Sequence, residues 1–260
     1  MDGDGGAEMS DLETSQILSF DDAPLAVHRM GAGHPVVLLH GLFSDAATNW
    51  VRFGTAQALA DAGFAAIMPD LRAHGASAHP HDPAAYPADV LVRDVTALVD
   101  NLGLSDYDLV GFSLGARTAA RAVVAGLAPR RLVMGGMGLE GLAGWARRSA
   151  FFIDAIDRFD NVRQGDPAFF AVSFMKTQKV DRVPARLLLQ SVGDTDPADL
   201  ARIAMPTLVL CGREDRDNGA PDALAAALPD AELVEIPGTH MSSVTRPELG
   251  EEIVRFLTAP

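Results

Sequence analysis

The chain has 260 residues, 48% of them apolar and 22% charged, with 24 Gly and 16 Pro, a mixture that excludes fibrous, disulfide-framework and wholly disordered proteins and fits one fairly large domain. Its 35 acidic side chains against 21 basic ones leave a net charge of −14, so the mean surface field repels phosphate backbones and anionic lipid, and neither nucleic acid nor a membrane is expected as a partner. Cys211 is the single cysteine, which rules out an internal disulfide.

Residues 1–15 read as an acidic leader. Asp2, Asp4, Glu8, Asp11 and Glu13 lie there among glycines, with neither the basic start nor the apolar stretch of a secretory signal. The segment is expected to be disordered at least to Ser10. Further on, no stretch approaches the roughly 18 uncharged apolar residues of a spanning helix, and the chain is expected in the cytoplasm.

Beyond the leader, short apolar runs alternate with longer Ala-rich segments, which predicts an α/β architecture. Segments 16–20 and 25–30, separated by Asp21-Asp22-Ala23-Pro24, read as an antiparallel pair. The run Pro35–Leu39 is unbroken and β-branched at its start, as a parallel strand covered on both faces requires. Similar runs follow at Ala65–Met68, Tyr107–Val110, Arg131–Met134, Thr207–Leu210 and Glu232–Ile236. Together they predict a mostly parallel twisted sheet of about eight strands flanked by helices. The clearest helix has Val90, Leu91, Val95, Leu98, Val99 and Leu102 at three- and four-residue spacing and stops at Gly103.

The alternation breaks over residues 139–204, where Trp145, Phe151, Phe152, Ile156, Phe159, Phe169, Phe170 and Phe174 recur at helical spacing. This stretch reads as a helical lid inserted into a core made of 16–138 and 205–260. It holds six of the 12 phenylalanines, which suits either a core of its own or the apolar wall of a substrate pocket.

The most informative segment is Gly111-Phe112-Ser113-Leu114-Gly115, with an apolar strand before it and the helical stretch 116–124 after it. A serine on so tight a strand-to-helix turn takes a strained backbone, and side chains at Gly111 and Gly115 would collide across it. Its place at a helix N-terminus also aims free N–H groups at any oxyanion formed beside it. A serine hydroxyl needs a base, and the base needs an orienting carboxylate. Both occur just past the ends of predicted strands, as Asp215 after 206–210 and His240 after 232–236. Asp217 and Glu214 flank Asp215 as rivals for the acid. His79-Pro80-His81-Asp82 lies in a Pro-rich loop and reads as a solvated turn; without an H-E-x-x-H pattern or a cysteine pair, no metal and no cofactor are expected. His40 and His74 read as loop-holding side chains, and Cys211 as a buried filler.

With these motifs in place, the sequence resembles the α/β-hydrolase family over nearly the whole chain apart from the leader and the lid. The likeness rests on His40-Gly41 after the first parallel strand, on Asp70-Leu71-Arg72-Ala73-His74-Gly75-Ala76-Ser77 as D-L-R-x-H-G-x-S, on the G-x-S-x-G turn, on Gly212-Arg213-Glu214-Asp215, and on Gly238-Thr239-His240. Ala73 stands where glycine is usual, and the histidine turn is one residue short. The resemblance implies Ser113 as nucleophile, His240 as base and Asp215 as its orienting acid, the last favoured over Asp217 by its spacing from Gly212. It also implies an oxyanion hole from the backbone N–H groups of Leu114 and Leu42, with Phe43 as the second candidate upstream. Epoxide hydrolases and dehalogenases of this fold use an aspartate nucleophile, so Ser113 points to acyl transfer to water. Hydrolysis of small to medium apolar carboxylic esters leads; lactones, thioesters and carbon–carbon bonds are cleaved by similar triads, peroxide can replace water at the acyl-enzyme, and some relatives serve as ligand receptors.

Overall fold

The computed structural model describes residues 12–260. Eight strands form one sheet: β1 (Glu13–Leu18), β2 (Pro24–Met30), β3 (His34–Leu39), β4 (Phe64–Pro69), β5 (Asp108–Phe112), β6 (Leu132–Gly135), β7 (Thr207–Gly212) and β8 (Ala231–Ile236), in the spatial order β1-β2-β4-β3-β5-β6-β7-β8. β1 pairs antiparallel with β2 and β2 with β4, and every other pairing is parallel.

The physical reason for the unbroken apolar strands is visible in β3, where side chains alternate between two separate cores. Val37 and Leu39 pack into one core and Val36 and Leu38 into the other. Helices α2 (Val90–Asn101) and α3 (Leu114–Ala125) cover the first face, while α1 (Thr55–Asp61) and α10 (Pro247–Thr258) cover the second. Each fully buried Val or Leu in these strands contributes roughly 1.5–3 kcal/mol relative to exposure.

The antiparallel pair at the sheet edge begins earlier than its sequence suggests. β1 starts at Glu13 and stops at Leu18, with Ser19 and Phe20 in the turn. The expected leader boundary at residue 15 therefore falls inside a strand. Glu13, Thr14, Ser15 and Gln16 are exposed, and an edge strand that buries little carries no apolar run to mark it. The expectation of disorder up to Ser10 falls outside the described residues.

Between β6 and β7 the chain builds α4 (Leu139–Ala143), α5 (Trp145–Asp157), α6 (Phe169–Thr177) and α7 (Arg182–Ser191). Their buried side chains, among them Trp145, Ile156, Val172, Met175 and Leu188, join the core on the α2–α3 face of the sheet. Of the six phenylalanines, Phe169 packs on the edge of that core, and the other five divide between two uses. Phe159 lies beneath Lys176 and Arg182, whereas Phe151, Phe152, Phe170 and Phe174 line a cavity. Two further short helices, α8 (Pro221–Ala227) and α9 (His240–Ser243), follow β7 and β8. No helix of the described residues is long and apolar enough to cross a membrane.

Candidate active site

β5 runs straight into α3 through Ser113, whose backbone sits at φ 54° and ψ −112°. A non-glycine residue in this region is strained by about 1–3 kcal/mol and persists only where its surroundings dictate it. Here the two glycines permit it. A Cβ on Gly111 would lie 2.3 Å from the Gly115 carbonyl oxygen, and one on Gly115 would lie 2.0 Å from the Leu39 carbonyl oxygen of β3. The first contact closes the turn, as the sequence implies; the second seats α3 against the neighbouring strand.

Three buried side chains converge at this elbow. The Nδ1–H of His240 donates to Asp215 Oδ2 at 2.8 Å, which leaves Nε2 to accept the Ser113 hydroxyl at 3.0 Å. His240 opens α9, whose N-terminus is closed by a capping box between Thr239 and Ser242. That cap fixes the histidine although its turn is one residue short. Burial raises the Asp215 carboxyl, but the hydrogen bond and charge of His240, the N–H of Asp217 and the nearby Arg148 outweigh it, so the acid stays below its ordinary range and ionised. Of its rivals, Asp217 is exposed and reaches Asp215 only through its backbone N–H, to Oδ1 at 3.0 Å; Glu214 is also exposed. Cys211 is buried, and burial pushes its thiol up to about 12.

Beside Ser113 is a small cavity of about 20 Å³ that Leu42 and Leu114 also line, room for about one water-sized group. Leu114 is the first residue of α3, so its N–H has no acceptor within the helix. The Phe43 N–H, the other upstream candidate, is occupied: it donates to His74 Nε2 at 2.9 Å. Asn49 Oδ1 accepts the Gly41 N–H at 3.0 Å from a π-helical turn, Ala47–Val51, which places the residue before Leu42.

His40 and His74 bind each other's loops. The His40 ring accepts the Leu71 N–H at 2.9 Å and donates to the Gly41 carbonyl at 2.8 Å, while the His74 ring accepts from Phe43 and donates to the Arg72 carbonyl at 3.0 Å. Accepting from a backbone N–H requires an unprotonated nitrogen. Burial keeps both imidazoles neutral, lowering His40 below its ordinary value and His74 to about 3.

The rest of the Asp70–Ser77 motif supports the same region. Asp70 accepts the Ala46 N–H at 2.9 Å and the Ala76 N–H at 2.8 Å, and a Cβ on Gly75 would lie 2.1 Å from its Oδ2. Arg72, fully buried, holds Asp94 and Asp21. Ala73, where glycine is usual, keeps a left-handed backbone at φ 65°. Burial raises the Asp70 carboxyl, but the hydrogen bonds from His28 and from the Ala76 and Ala46 N–H groups more than reverse this and bring it to about 2 from an ordinary 3.8. Asp70→Asn is therefore expected to lower stability at pH 7 by about 2 kcal/mol. Because the folded value is the lower one, this contribution is complete above about pH 4 and is lost as the pH falls toward 2. The gap between the urea midpoints of the two proteins should therefore be about half as wide at pH 3 as at pH 7.

Two larger cavities adjoin the triad. One of about 210 Å³ is lined by Asn49, Phe53, Phe112, Ser113, Phe174 and His240 among others. The other, of about 490 Å³, is walled by Phe151 and Phe152 of α5 and Phe170 and Phe174 of α6, together with Arg148, Asp217 and His240. Among the described residues, no cluster of three or more His, Cys, Asp or Glu could hold a metal. His81 instead pairs with Asp181 at 2.7 Å in an exposed contact.

Comparison with known proteins agrees with this fold. Residues 36–249 fit the profile described as alpha/beta hydrolase family. The chain belongs to the alpha/beta hydrolase family. It is similar to an epoxide hydrolase from Caballeronia sordidicola, at 36% identity over 120 residues, which is 46% of this chain and only 34% of that enzyme's length. A solved structure of a hydrolase from Pseudomonas aeruginosa PA01 superposes with a TM-score of 0.74 at 26% identity, covering 97% of this chain and all of the other (100%). An esterase from Exiguobacterium antarcticum shares the fold, with a TM-score of 0.75 at 18% identity over 95% of this chain and 100% of its own.

Arg148, Arg117 and Asn49 were not singled out in the sequence. Only Arg117 carried a signal: it lies four residues after Ser113 on a helix otherwise rich in alanine, a position that faces the same way as the serine.

Proposed function

We propose that this alpha/beta hydrolase is a serine hydrolase of carboxylic esters, with Ser113 as nucleophile, His240 as base and Asp215 as its orienting acid. The observation that supports it is the hydrogen-bond chain from Ser113 through His240 to Asp215, at 3.0 and 2.8 Å. Ser113 Oγ attacks the ester carbonyl carbon while its proton passes to His240 Nε2, and Asp215 holds the imidazolium. The oxyanion takes hydrogen bonds from the N–H groups of Leu42 and Leu114, each contributing about 3 kcal/mol to the transition state. Collapse expels the alcohol, which receives the proton from Nε2. Water, deprotonated by the same nitrogen, then attacks the acyl-enzyme; the carboxylic acid leaves and the serine recovers its proton.

In this reading the helices of 139–204 act as a lid, whose phenylalanines exclude water and select a small to medium apolar group. The likeness to epoxide hydrolases does not carry their chemistry over, because opening an epoxide through an alkyl-enzyme ester calls for a carboxylate at the elbow. The test is steady-state hydrolysis of p-nitrophenyl esters from acetate to decanoate. Turnover that peaks at one chain length is expected; no release from folded protein across the series would overturn the reading.

A further inference from the structure

Two arginines, Arg117 and Arg148, line the small cavity beside Ser113, and they are committed differently. Arg117 is buried on α3 and gives Nη1 to the carbonyls of Gly141 at 2.7 Å and Leu142 at 2.6 Å, and Nη2 to that of Gly193 at 3.0 Å. Its guanidinium also lies 4.9 Å from the centre of the Trp145 ring. These bonds hang the inserted helices from the helix that begins at the serine. Arg148, on α5, has one protein acceptor, the Asp217 carbonyl, which takes its Nη1. Its Nε and Nη2 have none.

What surrounds Arg148 is mostly aromatic. The guanidinium lies 5.5 Å from the centre of the Phe152 ring, and the side chain shares the 490 Å³ cavity with Phe151, Phe170, Phe174 and His240, with Asp217 also in its wall. It also reaches the small cavity beside Ser113, Leu42 and Leu114. Among the described residues no carboxylate oxygen lies within 4.0 Å of it, whereas Arg72, Arg121, Arg130, Arg158 and Arg255 each have a carboxylate partner. A cation half withdrawn from water among phenylalanines is costly until an anion joins it. Burial already depresses this guanidinium, although the Asp217 and Asp215 charges oppose the effect from farther away. In a chain of net charge −14, an unpaired arginine at the nucleophile is a site kept open for an incoming anion.

We propose that Arg148 binds a carboxylate of the substrate, so that the ester cleaved is an anionic one, with the charged group seated in the phenylalanine-walled cavity. The proposal rests on the esterase reading for the reaction and revises the group its cavity selects, from a wholly apolar one to an apolar chain that ends in a carboxylate. A planar guanidinium with free Nε and Nη2 presents the fork that a carboxylate fits, and such charge-assisted bonds are the strong ones. Arg148 acts here on substrate selection, and no step of the acyl transfer passes through it.

Two pairs of probes test it and tell the acyl side from the alcohol side: mono-p-nitrophenyl adipate against its methyl ester, and 4-acetoxybenzoate against its methyl ester, each corrected for enzyme-free hydrolysis. Wild type should favour the charged member of at least one pair by about tenfold or more in kcat/KM, with the gain in KM. In Arg148→Met, which keeps the apolar stem against Phe152, that ratio should fall to about one, and Arg148→Lys should retain part of it. A wild-type ratio of one or less in both pairs overturns the proposal, as does a ratio that Arg148→Met leaves unchanged. If neither the neutral nor the charged esters are turned over, the esterase reading has failed, and calorimetric titration with monomethyl adipate decides for Arg148 alone. Binding to folded wild type that weakens at least about tenfold in Arg148→Met supports it, and equal or undetectable binding overturns it.

Discussion

Ser113→Ala is expected to lower kcat for p-nitrophenyl esters by about five to six orders of magnitude while the protein stays folded, because the members of such a triad act as a unit and the residual rate comes from the remaining donors. Removal of Oγ deletes the atom that forms the acyl-enzyme, and it also leaves His240 Nε2 without its 3.0 Å partner. The expected signature is loss of the p-nitrophenol burst as well as of steady turnover. Alanine at φ 54° is strained as serine is, so the thermal midpoint should move little. A variant with intact turnover would remove Ser113 from the chemistry.

The second large effect concerns the acid. Asp215→Asn should cost about four orders of magnitude in kcat, because an amide at that position favours the wrong histidine tautomer and cannot stabilise the imidazolium. Asp217→Asn should cost far less, since Asp217 contributes its backbone N–H to Asp215 and keeps its own carboxylate in solvent. Rates of the two variants measured side by side on one ester give the answer. Equal losses would mean that Asp217 shares the role, against a geometry in which only Asp215 reaches His240 Nδ1.

The inner parallel strands were legible because they are buried on both faces and apolar almost throughout, whereas the edge strand β8 carries exposed Glu232 and Glu235 between its apolar residues. Val36 to Leu39 show this directly, with neighbours in the run feeding opposite cores. The edge strand β1 was not, since Glu13 to Gln16 bury too little to leave a pattern. Much the same division holds at the candidate site. Ser113, Asp215 and His240 each follow a strand end within a few residues and are announced by turn glycines. What Leu42 has over Phe43 as a donor depends on His74, which lies 31 residues further on and takes the Phe43 N–H. No local pattern encodes a contact of that separation. Arg148 was hidden for a related reason: a helix bearing Arg147 and Arg148 in succession looks like an ordinary solvated surface, and only packing against Phe152 shows which of the two is drawn inward.

The crossed histidines also bear on how such a site can diversify. Because each ring is the acceptor for a backbone amide in the other's loop, neither loop can be lengthened, shortened or transplanted alone without orphaning an amide in its neighbour. Evolution and engineering alike are thereby steered away from the two loops beside Ser113 and toward the phenylalanines of α5 and α6, whose side chains can be exchanged without orphaning a backbone amide there.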